Sequence, residues 1–186
     1  MKKRVTITIA ALAMGFALVL TMSGCGSSDG SQDETTAENT TVAEKDYTEY
    51  GEKAEANAME LNGRIDPNDV REMLEKNTEH CQGAKNIEKT IGEYMKEHPD
   101  ITYAYVIRYK DDTKKAAEFL INWEDTDEYW GEEFELYDEA IKALNGEACY
   151  DKEPTTDEDG TVITGYAPFP LDGSEPIVVC VDYAVK

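Results

Sequence analysis

Positive charge is what this sequence has least of: 18 Lys and Arg stand against 40 Asp and Glu, a net of −22 over 186 residues. That balance excludes a protein that tracks nucleic-acid phosphates and one that docks directly on anionic lipid. It suits cationic ligands, and it keeps an exported protein dispersed. Histidine is scarcer still, with only His80 and His98. His80, Cys81 and Cys149 lack the tight spacing of a zinc site, and His98, beside Pro99, reads as a surface residue at a helix end. None of the four Cys makes a CxxC pair, which excludes a redox motif. The chain has no G-x-S-x-G, no Cys/His pair at a catalytic spacing and no phosphate-binding glycine loop. The acidic stretches 124–128 and 157–160 do not fit the twelve-residue calcium loop and read as solvated. The expectation is a protein that is not an enzyme, with no cofactor and no resident metal.

Long apolar runs are also rare, with one exception. Met1-Lys2-Lys3-Arg4 is a basic start, residues 5–22 carry no charge, and Ser23-Gly24-Cys25 follows. A basic n-region, an apolar h-region and small residues before a cut site make an export signal. About 20 apolar residues can also span a bilayer, but a plain anchor does not call for Ser-Gly-Cys followed by a polar tract. Met22-Ser23-Gly24-Cys25 resembles the lipobox of bacterial lipoproteins, with Met22 where Leu is usual. The resemblance implies a diacylglycerol on the Cys25 sulfur, cleavage before it, and tethering to the outer face of the cytoplasmic membrane. Two acyl chains hold a membrane stably where one does not. Cleavage removes three basic residues and no acid, so the mature net charge becomes −25.

Residues 25–45 comprise the lipidated Cys and a tract with no aromatic residue, expected as a disordered acidic stalk. Residues 46–186 are about one domain by size. They hold Cys81, Cys149 and Cys180, an odd number, which leaves open one disulfide with a free thiol or three buried thiols.

Within the domain, residues 46–61 read as a helix closed by Asn62-Gly63. Asp66-Pro67 opens a second helix, with Asp66 as N-cap and Pro67 in the first turn. Val70, Met73, Leu74 and Asn77 share its face. Gly83 reads as an interruption. Ile87, Ile91, Tyr94 and Met95 form the stripe of a third helix that stops before Pro99. The period then drops to two. Residues 101–109 and 117–123 form a hairpin about a turn at 110–113. Tyr103, Tyr105, Ile107 and Tyr109 lie on one face, with Ala104, Val106 and Arg108 on the other. Phe134, Tyr137, Ala140, Ile141 and Leu144 space as a helix closed by Asn145-Gly146. Cys149-Tyr150 starts a short strand, residues 151–160 form a polar loop, and residues 161–169 a strand. Residues 177–185 form an apolar last strand, expected inside the sheet. The fold class expected is α+β, a central antiparallel sheet of about five strands with N-terminal helices and one helix between the hairpins.

Residues 153–162, then Thr164-Gly165-Tyr166-Ala167-Pro168-Phe169 with a turn at Asp172-Gly173 and a strand ending Val181-Asp182, resemble the Cache family. These are PAS-like extracellular sensor domains of bacterial receptors. With the hairpin and the acidic loop before Gly131, the likeness covers roughly residues 60–185. It implies a PAS-like Cache domain with a small-molecule pocket between the sheet and its covering elements, for an amino acid, amine or carboxylate. Carried over by position, the candidate lining is Tyr105, Arg108, Asn122, Trp123, Asp127, Tyr129, Tyr166 and Asp182. The aromatic residues would box an apolar or cationic group, Arg108 clamp a carboxylate and an Asp take an ammonium. With no receptor segment after Lys186, output is expected to pass to a membrane receptor or envelope protein. The rival expectation is a structural lipoprotein of the envelope, with a filled core and no ligand.

Overall fold

The computed structural model describes residues 46–109, 116–124, 126–157, 160–171 and 176–186, with Phe134 and Glu135 described only in backbone. The leader, Cys25, the stalk and the turns at 110–113 and Asp172-Gly173 lie outside the described residues.

Three helices come first. α1 (Thr48–Arg64) runs through Asn62-Gly63 rather than stopping there. Asn62 faces inward and donates from Nδ2 to the Pro168 carbonyl at 2.7 Å, so a tertiary bond replaces the expected cap. α2 (Pro67–Lys76) starts as its sequence predicts, with the Asp66 carboxylate accepting from the Asn68 N–H at 2.8 Å. Asn77 belongs to the end of α2, not its face: it sits left-handed at φ 49°. α3 (Gln82–Glu97) begins at Cys81, whose sulfur accepts from the Ala84 N–H at 3.3 Å. Gly83 therefore starts a helix instead of breaking one. A Cβ there would lie 2.3 Å from the Asp69 carbonyl oxygen, so the missing side chain lets α3 touch α2.

The period-two stretch forms β1 (Ile101–Tyr109) and β2 (Ala116–Asn122). Next comes the turn of helix α4 (Thr126–Tyr129), then β3 (Glu133–Glu135) and α5 (Asp138–Leu144). The expected helix over Phe134 to Leu144 thus begins only at Asp138, and its first two residues are strand. Residues 133–135 pair with β2, and that pairing outweighs the helical spacing of one aromatic residue. β4 (Cys149–Tyr150), β5 (Thr155–Thr156), β6 (Thr161–Phe169) and β7 (Ile177–Ala184) complete the chain.

All pairings are antiparallel, in the order β3-β2-β1-β7-β6-β4, with β5 also on β6. The α+β class and the interior place of the last strand match the sequence expectation. Its short strands β3 and β5 exceed the expected five.

The two faces of this sheet are covered differently. Ala104, Val106, Ala167, Val179 and Val181 face α1, α2 and α3 and join Leu61, Met73, Ile87 and Ile91 in one apolar core. α1 approaches so closely at Gly165 that a Cβ there would lie 2.1 Å from the Ala54 backbone. Ile107, Val178, Cys180 and Tyr166 face the other way, toward Ala140, Ala143 and Leu144 of α5. No helix among the described residues is long and apolar enough to cross a membrane.

Candidate functional site

The α5 side of the sheet gathers polar groups in rows across three strands. Tyr103, Asp182 and Thr164 are register neighbours, as are Tyr105, Cys180, Tyr166 and Cys149. Period-two alternation puts these side chains on one face. The Asp182 carboxylate accepts from the Thr164 hydroxyl at 2.8 Å and from the Tyr105 hydroxyl at 3.4 Å. One strand away, the Tyr166 hydroxyl lies 3.1 Å from both oxygens of Asp151. Phe119 extends the patch, meeting Tyr105 edge-on at 5.4 Å and Tyr129 at 5.9 Å between ring centroids.

The electrostatics follow from burial. Desolvation first, then repulsion from Asp151, pushes the Asp182 carboxyl up to about 7, against the lowering effect of its hydroxyl donors. Desolvation likewise raises Asp151 to about 6. Burial, with Asp182 next, raises the Tyr105 phenol well above its ordinary value. Burial and Asp151 do the same for Tyr166. Among the described residues no cation pairs with either carboxylate; their side-chain partners are neutral hydroxyls. Two half-buried acids without a counter-cation cost stability unless they hold protons or receive a cation.

The three cysteines are free thiols. Burial raises Cys149 to about 11 and Cys180 well above its ordinary range. Both therefore stay protonated at neutral pH and are poor nucleophiles.

Of the eight residues the sequence singles out, Tyr105, Tyr166 and Asp182 come together here, with Tyr129 joined through Phe119. The other four do not. Arg108 points to the helical side, where its guanidinium pairs with buried Glu118 and donates to Asn77 Oδ1 at 2.9 Å. Asn122 shapes the turn after β2: its side-chain oxygen accepts from the Glu124 N–H and its carbonyl from the Thr126 hydroxyl. Trp123 lies over Gly92 of α3, where a Cβ would fall 2.1 Å from its ring. Asp127 is exposed and stands near His80. His98, expected at the surface, is half-buried and stacks on Tyr94 at 4.1 Å.

Asp151 was missed. It falls in a stretch that reads as polar loop, yet it continues the alternation of Cys149 by two residues. Its N–H donates to the Thr164 carbonyl at 2.9 Å, which extends β4 by one residue. That alternation was the available signal.

No family model matches the chain, and no curated protein matches it. Solved structures similar to it include these two. One is the extracellular domain of a putative histidine kinase, with 19% identity, a TM-score of 0.39, and coverage of 72% of this chain and 52% of that one. The other is the ligand-binding domain of a Campylobacter jejuni chemoreceptor in complex with 4-methylisoleucine. It shows 12% identity and a TM-score of 0.36, covering 72% of this chain and 59% of that one. The chain therefore spans little more than half the length of either neighbour. The fold described above rests on its own strand pairings.

Proposed function

We propose that this protein is an extracytoplasmic, lipid-anchored binding protein whose domain takes a small ammonium-bearing ligand on the Tyr105–Asp182 face of its sheet. One observation carries the reading: Asp151 and Asp182 are half-buried beside tyrosines, with neutral hydroxyls as their only side-chain partners among the described residues. A ligand ammonium supplies the missing positive charge. The rings of Tyr105, Tyr166 and Phe119 provide faces for its cation and its apolar part. The acids are poised near neutrality, so binding a cation drives off a proton and leaves a charge-assisted pair in a partly desolvated site. The likeness of the closing strands to the Cache family supports a small-molecule ligand, amino acids and amines among the classes it implies, and includes Tyr105, Tyr166 and Asp182 in the lining. The lipobox at Met22–Cys25 supports the anchor, and an anchored domain of this kind acts by contact with a membrane partner.

A thermal-shift screen of amines, amino acids and carboxylates tests the ligand class. A bound ligand raises the midpoint by an amount that follows RT ln(1 + [L]/Kd). Amines and amino acids are expected to raise it, and carboxylates without an amine are not. A folded protein that responds to none of them refutes the reading. The anchor is tested separately: globomycin should accumulate an uncleaved precursor, and an unchanged band pattern would refute lipidation at Cys25.

A further inference from the structure

A second group of ligating side chains lies away from the sheet-face site. The turn between α2 and α3 carries Glu79 and His80, and α4 carries Asp127. His80 Nε2 is 3.3 Å from a Glu79 oxygen, and His80 Nδ1 is 3.8 Å from an Asp127 oxygen. One ligating atom from each residue can be chosen so that all three lie within 4.8 Å of one another. These residues open on a cleft of about 510 Å³, also lined by Lys85, Trp123 and Thr126.

From this arrangement the geometry points to a binding site for a borderline divalent metal ion of the zinc class, held by Glu79, His80 and Asp127. An imidazole nitrogen with two carboxylate oxygens suits Zn²⁺, Co²⁺ or Ni²⁺, whereas Mg²⁺ and Ca²⁺ favour all-oxygen sets. Three protein ligands leave at least one coordination position, which faces the cleft and is filled by water or by a donor from a partner. Closing on an ion requires only rotamer changes in His80 and Asp127, whose side chains are 70% and 75% exposed. The better-buried Glu79, 18% exposed, is the fixed point. The ion ties the α2–α3 turn to the connection after β2. The two segments already approach each other at His80 and Asp127, and nearby the Trp123 ring lies on Gly92 of α3. An ion there also offsets part of the repulsion among Glu79, Glu88, Glu124 and Asp127 around the cleft.

Titration of the full chain in detergent with Zn²⁺, and with Co²⁺ as a spectroscopic probe, tests this. The expected result is one ion per chain, a Co²⁺ spectrum without thiolate charge-transfer bands, and no displacement by millimolar Ca²⁺ or Mg²⁺. His80→Ala and Asp127→Asn should each weaken binding by about tenfold or more, without change in the metal-free melting temperature, because both side chains are exposed. Unchanged affinity in His80→Ala, thiolate bands from the cysteines, or ready displacement by Ca²⁺ would each overturn the proposal. The amine screen above is read without metal, so either result can fail alone.

Discussion

The two faces of one sheet differ as an apolar core differs from a polar patch. Beneath α1, α2 and α3 the strands offer Ala104, Val106, Ala167, Val179 and Val181, and the helices close on them with no room at Gly165 or Gly92. Facing α5, the same strands offer Tyr105, Thr164, Tyr166, Cys180 and Asp182, with two carboxyls raised by burial. Alternation along β1, β6 and β7 lets each residue serve only one side. The chain can thus keep an apolar core and a costly polar patch a single strand thickness apart. What stabilises the domain is concentrated on the helical side.

The comparison breaks most severely at Gly165. Gly165→Val drives a side chain into the Ala54 backbone and should cost about 3 kcal/mol or more, with α1 displaced; a urea titration measures it. Ile91→Ala, in the helical core, should cost about 3 kcal/mol by the same method. Arg108→Met removes the guanidinium that pairs with buried Glu118. It should lower stability by about 2 kcal/mol while leaving ligand affinity unchanged, which separates a structural Arg108 from one that clamps substrate.

On the polar face the signs reverse. Asp182 and Asp151 have folded pKa values raised above the unfolded ones, so the folded state holds more protons between the two ranges. Stability without ligand should therefore fall as pH rises from about 4 through about 6 to 7. Asp182→Asn should flatten that dependence, measured by melting temperature across pH, and should not destabilise the protein at pH 8. The same substitution should remove most of the affinity for any amine found. In the wild type that affinity should rise with pH, by up to about tenfold per unit over the same window, as measured by calorimetry. The smallest effect is expected from Trp123→Phe, whose ring lies on the helical side: ligand affinity should change less than about twofold, well under a kcal/mol.

How much of this was legible depended on how local the signal was. The strand from Ile101 to Tyr109, its two-faced alternation and the Asp66-Pro67 helix start follow from nearest-neighbour chemistry, and the structure has them. The end of α1 did not, because Asn62 is held by Pro168, 106 residues away. Phe134 and Glu135 read as helix because their pairing with β2 leaves no mark in their own spacing. The candidate site was half legible. Tyr105, Tyr166 and Asp182 came from the resemblance to the Cache family, and their alternating positions on long strands are what brings them to one face. Alternation along β1 already turns Arg108 to the other face, and its buried partner Glu118 makes that placement stable. Asp151 escaped because a two-residue strand gives alternation too little length to be noticed.

The most direct measurement is a ¹³C NMR titration of the Asp151 and Asp182 side-chain carboxyls, free and with the strongest amine from the screen. Midpoints near 6 and 7 in the free protein, both falling when the amine binds, are the predicted result. Midpoints near 4 that ignore the amine would contradict the account.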